Sequence, residues 1–176
     1  LRVLITAGGT REPIDAVRFI GNRSSGKMGF ALARAAFDRG ARVELIEANV
    51  DMPAVPGVRQ TETPTAKEMH AEVMKRLLDV DILIMAAAVA DYRVADGPAG
   101  GKIGKGRDEW AIDLEATPDI LCDVAAHQQG QFRVGFAAEY GLEGLTRARS
   151  KLERKSLDMI VFNDISRTDI GFDSDY

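Results

Sequence analysis

The feature that most constrains this chain is alternation. Apolar runs of strand length, Arg2 to Ala7, Arg42 to Ala48, Ile82 to Val89, Phe132 to Ala137 and Leu157 to Asn163, alternate with stretches long enough for helices. Parallel strands joined by crossover helices produce this pattern, because each crossover takes a dozen or more residues and covers the strands it joins. The expectation is an α/β fold: a Rossmann-like, mostly parallel sheet with helices on both faces. Ile82 to Val89 is apolar at every position and Arg2 to Ala7 nearly so, which places both near the sheet centre.

Helices are expected from a Ser24 or Ser25 cap to Arg39, closed by Gly40, and from Thr65 to Leu78. Two more are expected from Thr117-Pro118, as N-cap and first position, to His127, and from Leu142 to Lys155. The prolines between Pro53 and Pro64 read as punctuation, and Thr10 to Arg23 as a long loop. Between about Arg93 and Glu115 the alternation breaks. Gly97, Pro98, Gly100, Gly101, Gly104 and Gly106 surround Lys102 and Lys105, and Trp110 to Leu114 alternates like a half-exposed strand, so this segment reads as a glycine-rich flap or hairpin.

With 176 residues, 45% hydrophobic and 28% charged, the chain suits one globular domain and is too apolar for disorder. It has no run near the roughly 20 apolar residues that span a bilayer, so no membrane partner is expected. Its 23 basic residues against 27 acidic ones give a net charge of −4, which argues against a nucleic-acid backbone as partner. Cys122 is the sole cysteine, excluding an internal disulfide and a cysteine-rich zinc site and fitting a reducing cytoplasm. His70 and His127 have no metal spacing. His70 and the methionines of the second helix read as packing or surface residues, and Cys122 and His127 as packing residues of the third. A start that is not Met and a polar tail, Asp164 to Tyr176, suggest a domain cut from a longer chain.

Ligands of open α/β sheets collect at the carboxyl ends of the strands. That rule selects Gly8 to Ser25, Ala86 to Tyr92, Gly135 to Glu139 and the residues after Val161. Gly21-Asn22-Arg23-Ser24-Ser25-Gly26-Lys27 has the spacing of a phosphate-binding P-loop, but Met28 stands where a magnesium-binding Ser or Thr is needed, and a long loop precedes it. What survives is either an anion site at a helix start or an ordinary cap. Gly8-Gly9-Thr10 lacks the glycine order of a dinucleotide site. No tyrosine precedes a lysine by four residues as a short-chain dehydrogenase requires, since Asp96 follows Tyr92 and Gly144 follows Tyr140. Asp91 ends the third strand and either accepts hydrogen bonds from a sugar or base or simply forms a turn. Lys102 and Lys105 are either cations that close over a phosphate or solvated loop residues. Lys151 and Lys155 share one helix face, set either to meet a polyanion or to face water.

The strings TAGGTREPID, FIGNRSSGKMGFALA, AAAVADYR, KIGK, TPDIL, VGFAAE and FNDIS occur in this order from Thr6 to Ser166. Together they resemble phosphopantothenate-cysteine ligase of the bacterial type, usually the C-terminal half of a bifunctional coenzyme A biosynthesis protein. The resemblance implies one nucleotide-binding ligase domain over 1–176 that uses CTP, with Mg2+, 4′-phosphopantothenate and L-cysteine, and passes through an acyl cytidylate. By matched position, Lys102 serves acyl-cytidylate formation and Asn22 its conversion to product. Ala88, Asp91, Pro118, Asp119, Ile120, Phe136, Lys151 and Lys155 would hold the nucleotide, and Gly8, Gly9, Ser24, Ser25 and Gly26 would turn backbone toward phosphate. No residue is expected to cage a metal, and FMN is expected only on a separate decarboxylase domain. A homodimer, with flaps or edge strands crossing between subunits, is also implied. Gly104 and Ala16 depart from the usual lysine and proline. The alternative reading is a Rossmann-like module that binds a nucleotide without turning it over.

Overall fold

The computed structural model describes residues 1–106, 109–127, 130–141 and 143–166. Its centre is a six-stranded parallel sheet of β1 (Arg2–Gly8), β4 (Arg42–Ala48), β5 (Arg59–Glu62), β6 (Ile82–Met85), β9 (Phe132–Glu139) and β10 (Met159–Asp164), in the order β10-β9-β6-β1-β4-β5. The chain builds outward from β1 to the β5 edge, returns through α2 (Ala66–Arg76), and then builds the other way from β6. The direction therefore reverses between β1 and β6, where a doubly wound sheet opens a crevice at its carboxyl end.

Alternation along each strand sorts the core into two layers. Val3, Ile5, Val43 and Leu45 pack with Phe30 and Ala33 of α1 (Lys27–Asp38) on one face. Leu4, Ile46 and Leu83 pack with Met69 and Val73 of α2 and with Ile120 and Val124 of α3 (Ile120–Ala126) on the other. α4 (Glu143–Arg154) lies along β9 and β10, and its Leu152 joins the second layer. The expected architecture, helices on both faces of a parallel sheet, is the one observed.

α1 approaches β1 closely because Gly29 has no side chain: a Cβ there would lie 2.5 Å from Ala7 Cβ. Gly29→Ala is expected to cost about 1–3 kcal/mol through overpacking against a strand that cannot yield, read as a lower urea midpoint at unchanged slope.

Several local expectations are corrected. Pro53 to Pro64 contains β5, whose sequence Arg-Gln-Thr-Glu lacks apolar alternation because it is an exposed sheet edge. The loop Thr10 to Arg23 contains an antiparallel hairpin, β2 (Arg11–Pro13) with β3 (Phe19–Gly21), whose turn closes as Asp15 accepts N–H bonds from Val17 and Arg18. β6 stops at Met85 instead of Val89, although Ala88 still bridges to Gly9. Trp110 to Asp113 is not strand; β8 (Leu114–Ala116) pairs with β7 (Tyr92–Val94), and the glycine-rich segment connects them. Residues 107 and 108 of that segment, Leu142 and the tail 167–176 lie outside the described residues. The last strand begins at Met159, and Leu157 is buried beneath α4.

The helix starts differ too. α1 is capped by Gly26 in the left-handed region, φ 80°, with no side-chain cap, so neither Ser24 nor Ser25 fills that role. α3 is capped by Asp119, which accepts from Cys122 N–H, because the Thr117 hydroxyl is engaged elsewhere. Thr65 does cap α2, in a reciprocal box with Glu68. Gly40, at φ 83°, follows the end of α1 as expected. His70 bonds Asp123 across the α2–α3 contact at 2.8 Å, and His127 is exposed.

Candidate nucleotide site at the carboxyl end of the sheet

The crevice at the β1–β6 reversal is built mostly from backbone. Beyond Met85 the chain runs through Ala86-Ala87-Ala88-Val89-Ala90, which offers little side-chain chemistry, yet nearly every peptide group here is held from outside. Ala87 N–H donates to Thr6 Oγ1 at 3.1 Å, Ala88 N–H to Gly8 O at 2.8 Å, and Ala90 N–H to Thr10 Oγ1 at 2.8 Å. Val89 O accepts from Asn22 Nδ2 at 3.0 Å, and Ala90 O from Thr117 Oγ1 at 2.6 Å. Thr117 N–H then donates to Asp91 O at 2.9 Å. The loops after β1 and β6 and the entry to α3 are thus locked together.

This wall borders a pocket of about 520 Å³, within the range of small-molecule sites. Ala87, Val89, Ala90 and Asp91 form one side, Thr117 to Leu121 another, and Phe136 with Lys151 and Lys155 a third. Lys151 donates to Phe136 O at 2.7 Å and Lys155, one residue past the end of α4, donates to Asp119 Oδ1 at 2.9 Å, so both lysines turn into the crevice. Burial pushes the Lys151 ammonium below its ordinary pKa and the Lys155 charge adds to this, against Asp119, Glu139 and Asp91. An anion in the pocket would relieve both effects. Burial and then Asp119 push the Cys122 thiol upward, which keeps it neutral and unreactive.

Burial works to raise the Asp119 carboxyl, but the Lys155 ammonium and the Cys122 group outweigh it and hold the carboxyl below the ordinary range. A depressed carboxyl contributes stability above its unfolded pKa, near 3.9, and loses it as pH falls through the folded value. Asp119→Asn should therefore flatten the acid limb of a urea-derived stability profile between about pH 5 and 2. The carboxylate is 45% exposed, which limits the effect to a few tenths of a kcal/mol.

Of the residues expected to hold a nucleotide, Asp91, Pro118, Asp119, Ile120, Phe136, Lys151 and Lys155 line this pocket. Ala88 lies directly behind its wall, bridged to Gly9, and Asn22 reaches it through Val89 O. The glycines stand apart from the residues that line this pocket. Gly9 N–H is donated to Ala48 O, and Gly8 and Gly26, both at positive φ, pack together where a Cβ would strike Ala48 O or Val50. Ser24 Oγ accepts from Gly26 N–H, and Ser25 is half-buried beside it. Lys102 is exposed and does not line the pocket; neighbouring Ile103 is fastened to Asp15 and Arg18 of the β2–β3 turn. From sequence, Thr117 is assigned only a capping role, and the hydroxyls of Thr6 and Thr10 none. Their signal was slight: threonines at a strand end and at a helix entry. Among the described residues, no group of three or more His, Cys, Asp or Glu could hold a metal ion, and no helix is long and apolar enough to cross a membrane.

Known proteins share this architecture. The chain is 50% identical over 176 residues to the coenzyme A biosynthesis bifunctional protein CoaBC of Vibrio cholerae, an alignment covering 98% of this chain and 44% of that protein. It thus spans less than half the length of the curated relatives it matches. The crystal structure of the C-terminal domain of a CoaBC protein superposes with TM-score 0.81 at 39% identity, covering 93% of this chain and 76% of that one. The DNA/pantothenate metabolism flavoprotein from Streptococcus pneumoniae superposes with TM-score 0.83 at 26% identity, covering 97% and 84%. The DNA/pantothenate metabolism flavoprotein C-terminal domain family matches residues 1–176, and the chain belongs to that family.

Proposed function

We propose that this domain joins 4′-phosphopantothenate to L-cysteine using CTP, as the phosphopantothenate-cysteine ligase step of coenzyme A biosynthesis. The observation that carries the reading is the pair Lys151 and Lys155 facing Asp91 across a pocket at the sheet's reversal point, in a chain of this family. Two cations on one wall suit a triphosphate, and a carboxylate opposite suits the hydroxyls of a ribose or the amino group of a base.

The substrate carboxylate attacks the α-phosphorus of CTP, the bond to the β-phosphate oxygen breaks, and pyrophosphate leaves. The cysteine amine then attacks the acyl carbon, loses a proton, and expels CMP. Magnesium enters with the triphosphate as part of the substrate; the described residues offer the pocket carboxylates Asp91 and Asp119 and no metal cage. Lys151 and Lys155 hold phosphates, the backbone from Pro118 to Ile120 reads the base, and Lys102 stabilises charge at phosphorus. Asn22 serves amine attack. The start of α1, with Gly8, Gly9, Ser24, Ser25 and Gly26 around it, completes the phosphate side through its dipole. The working unit is a homodimer in the cytoplasm, and FMN belongs to a decarboxylase part outside this chain.

The test is direct: protein, CTP, Mg2+ and 4′-phosphopantothenate should release pyrophosphate, and adding L-cysteine should yield CMP and the ligated product. Absence of pyrophosphate overturns the reading. CTP binding without substrate-dependent pyrophosphate would favour a non-catalytic nucleotide module.

A further inference from the structure

The backbone of Ala90 is gripped from both sides. Its N–H, on a residue only 2% exposed, donates to Thr10 Oγ1, and its carbonyl accepts from Thr117 Oγ1. Thr10 is fully buried and follows β1; Thr117 is half-buried and precedes the Asp119 cap of α3. The two peptide planes that flank the Ala90 Cα therefore join three segments that each reach the pocket, and the next residue is Asp91. Ala90 has only a methyl group as side chain, and water cannot replace a partner at a buried N–H. The backbone that carries Asp91 is held by these two hydroxyls together with the bond from Thr117 N–H to Asp91 O.

We propose that Thr10 and Thr117 are positioning residues for nucleotide binding: their hydroxyls clamp the two peptide groups on either side of the Ala90 Cα and so aim Asp91 and the Val89–Ala90 wall at the ligand. The inference rests on the nucleotide reading above. It assigns both threonines a role in affinity beyond folding, although neither is among the residues given contact with substrate. Valine is nearly isosteric with threonine, so replacing either removes the hydrogen bond while keeping the volume; serine keeps the hydroxyl.

The experiment measures CTP affinity by isothermal titration in the full-length protein, corrected for folded fraction, for wild type, Thr10→Val, Thr10→Ser, Thr117→Val, Thr117→Ser and the double valine variant. Each valine variant is expected to raise Kd about tenfold or more, as loss of one buried hydrogen bond predicts. Each serine variant should stay within about threefold of wild type, and the double variant should lose less than the product of the singles, because both hold adjacent peptide groups that share the Ala90 Cα. The KM for cysteine should not move, since the amine enters after the nucleotide has reacted. A folded Thr10→Val or Thr117→Val that binds CTP like wild type overturns the proposal, as does failure of serine to rescue. If Thr10→Val does not fold, half-buried Thr117 decides the matter alone. Should wild type bind no CTP, the ligase reading fails, and the clamp is judged by amide exchange at Ala90. Exchange about a hundredfold faster in Thr10→Val upholds the clamp, and unchanged exchange there overturns it.

Discussion

Lys102→Ala is expected to lower phosphopantothenate-dependent pyrophosphate release by about 10²–10³-fold, the usual cost of removing one charge-stabilising group from a transition state. CTP affinity should stay within about threefold, because Lys102 lies outside the pocket proposed to hold the nucleotide. This split between chemistry and binding marks a group that acts only once the site is complete. The glycine-rich segment from Gly97 to Gly106 must therefore bring the lysine in, yet Ala99 N–H is bonded to Ile14 O and Ile103 is held by Asp15. In the proposed homodimer, the hairpin of a second protomer would deliver it. Mixing inactive Lys102→Ala and Asn22→Asp proteins should then restore activity to about one quarter of wild type, since half the dimers are mixed and one of their two sites is intact. No recovery in proven mixed dimers would show that each chain supplies its own lysine.

Asn22→Asp should let the acyl cytidylate accumulate, with pyrophosphate still released in a first turnover and cysteine-dependent product formation reduced about 10²-fold. The physical reason begins with the hydrogen bond from Asn22 Nδ2 to Val89 O. A carboxylate cannot donate there, and it places negative charge beside a carbonyl and beside the developing oxyanion of amine attack. Mass measurement of the trapped intermediate, and its chase into product on addition of wild-type protein, checks the assignment. Normal turnover in Asn22→Asp would remove Asn22 from the mechanism.

Much of the framework was legible in the sequence. Val3, Leu4 and Ile5, and again Leu45 with Ile46, alternate between two covered faces, and so they read as interior strands. Elements whose stability comes from a partner were not legible. β5 is polar because it is an edge, β2 and β3 are too short to show a period, and β8 begins only where Leu114 meets Val94. Caps failed for the same reason. Ser24, Ser25 and Thr117 are good N-cap residues by type, but Thr117 is held by Ala90, and the α1 start is occupied by a glycine that lets Gly8 and Gly26 touch.

The candidate site divides in a similar way. Asp91, Lys151 and Lys155 could be singled out from strand-end position and helical spacing, because those rules are local. That Lys151 and Lys155 turn inward, that Asn22 holds Val89, and that Lys102 lies apart depended on strand order. The pattern of apolar periods by itself determined the class of fold and the faces of its elements, since burial of an α/β sheet needs only the right period along each segment. Only the tertiary structure decided which loop ends meet, because the bonds that join them, such as Ala90 N–H to Thr10 Oγ1, span 80 residues and leave no local mark.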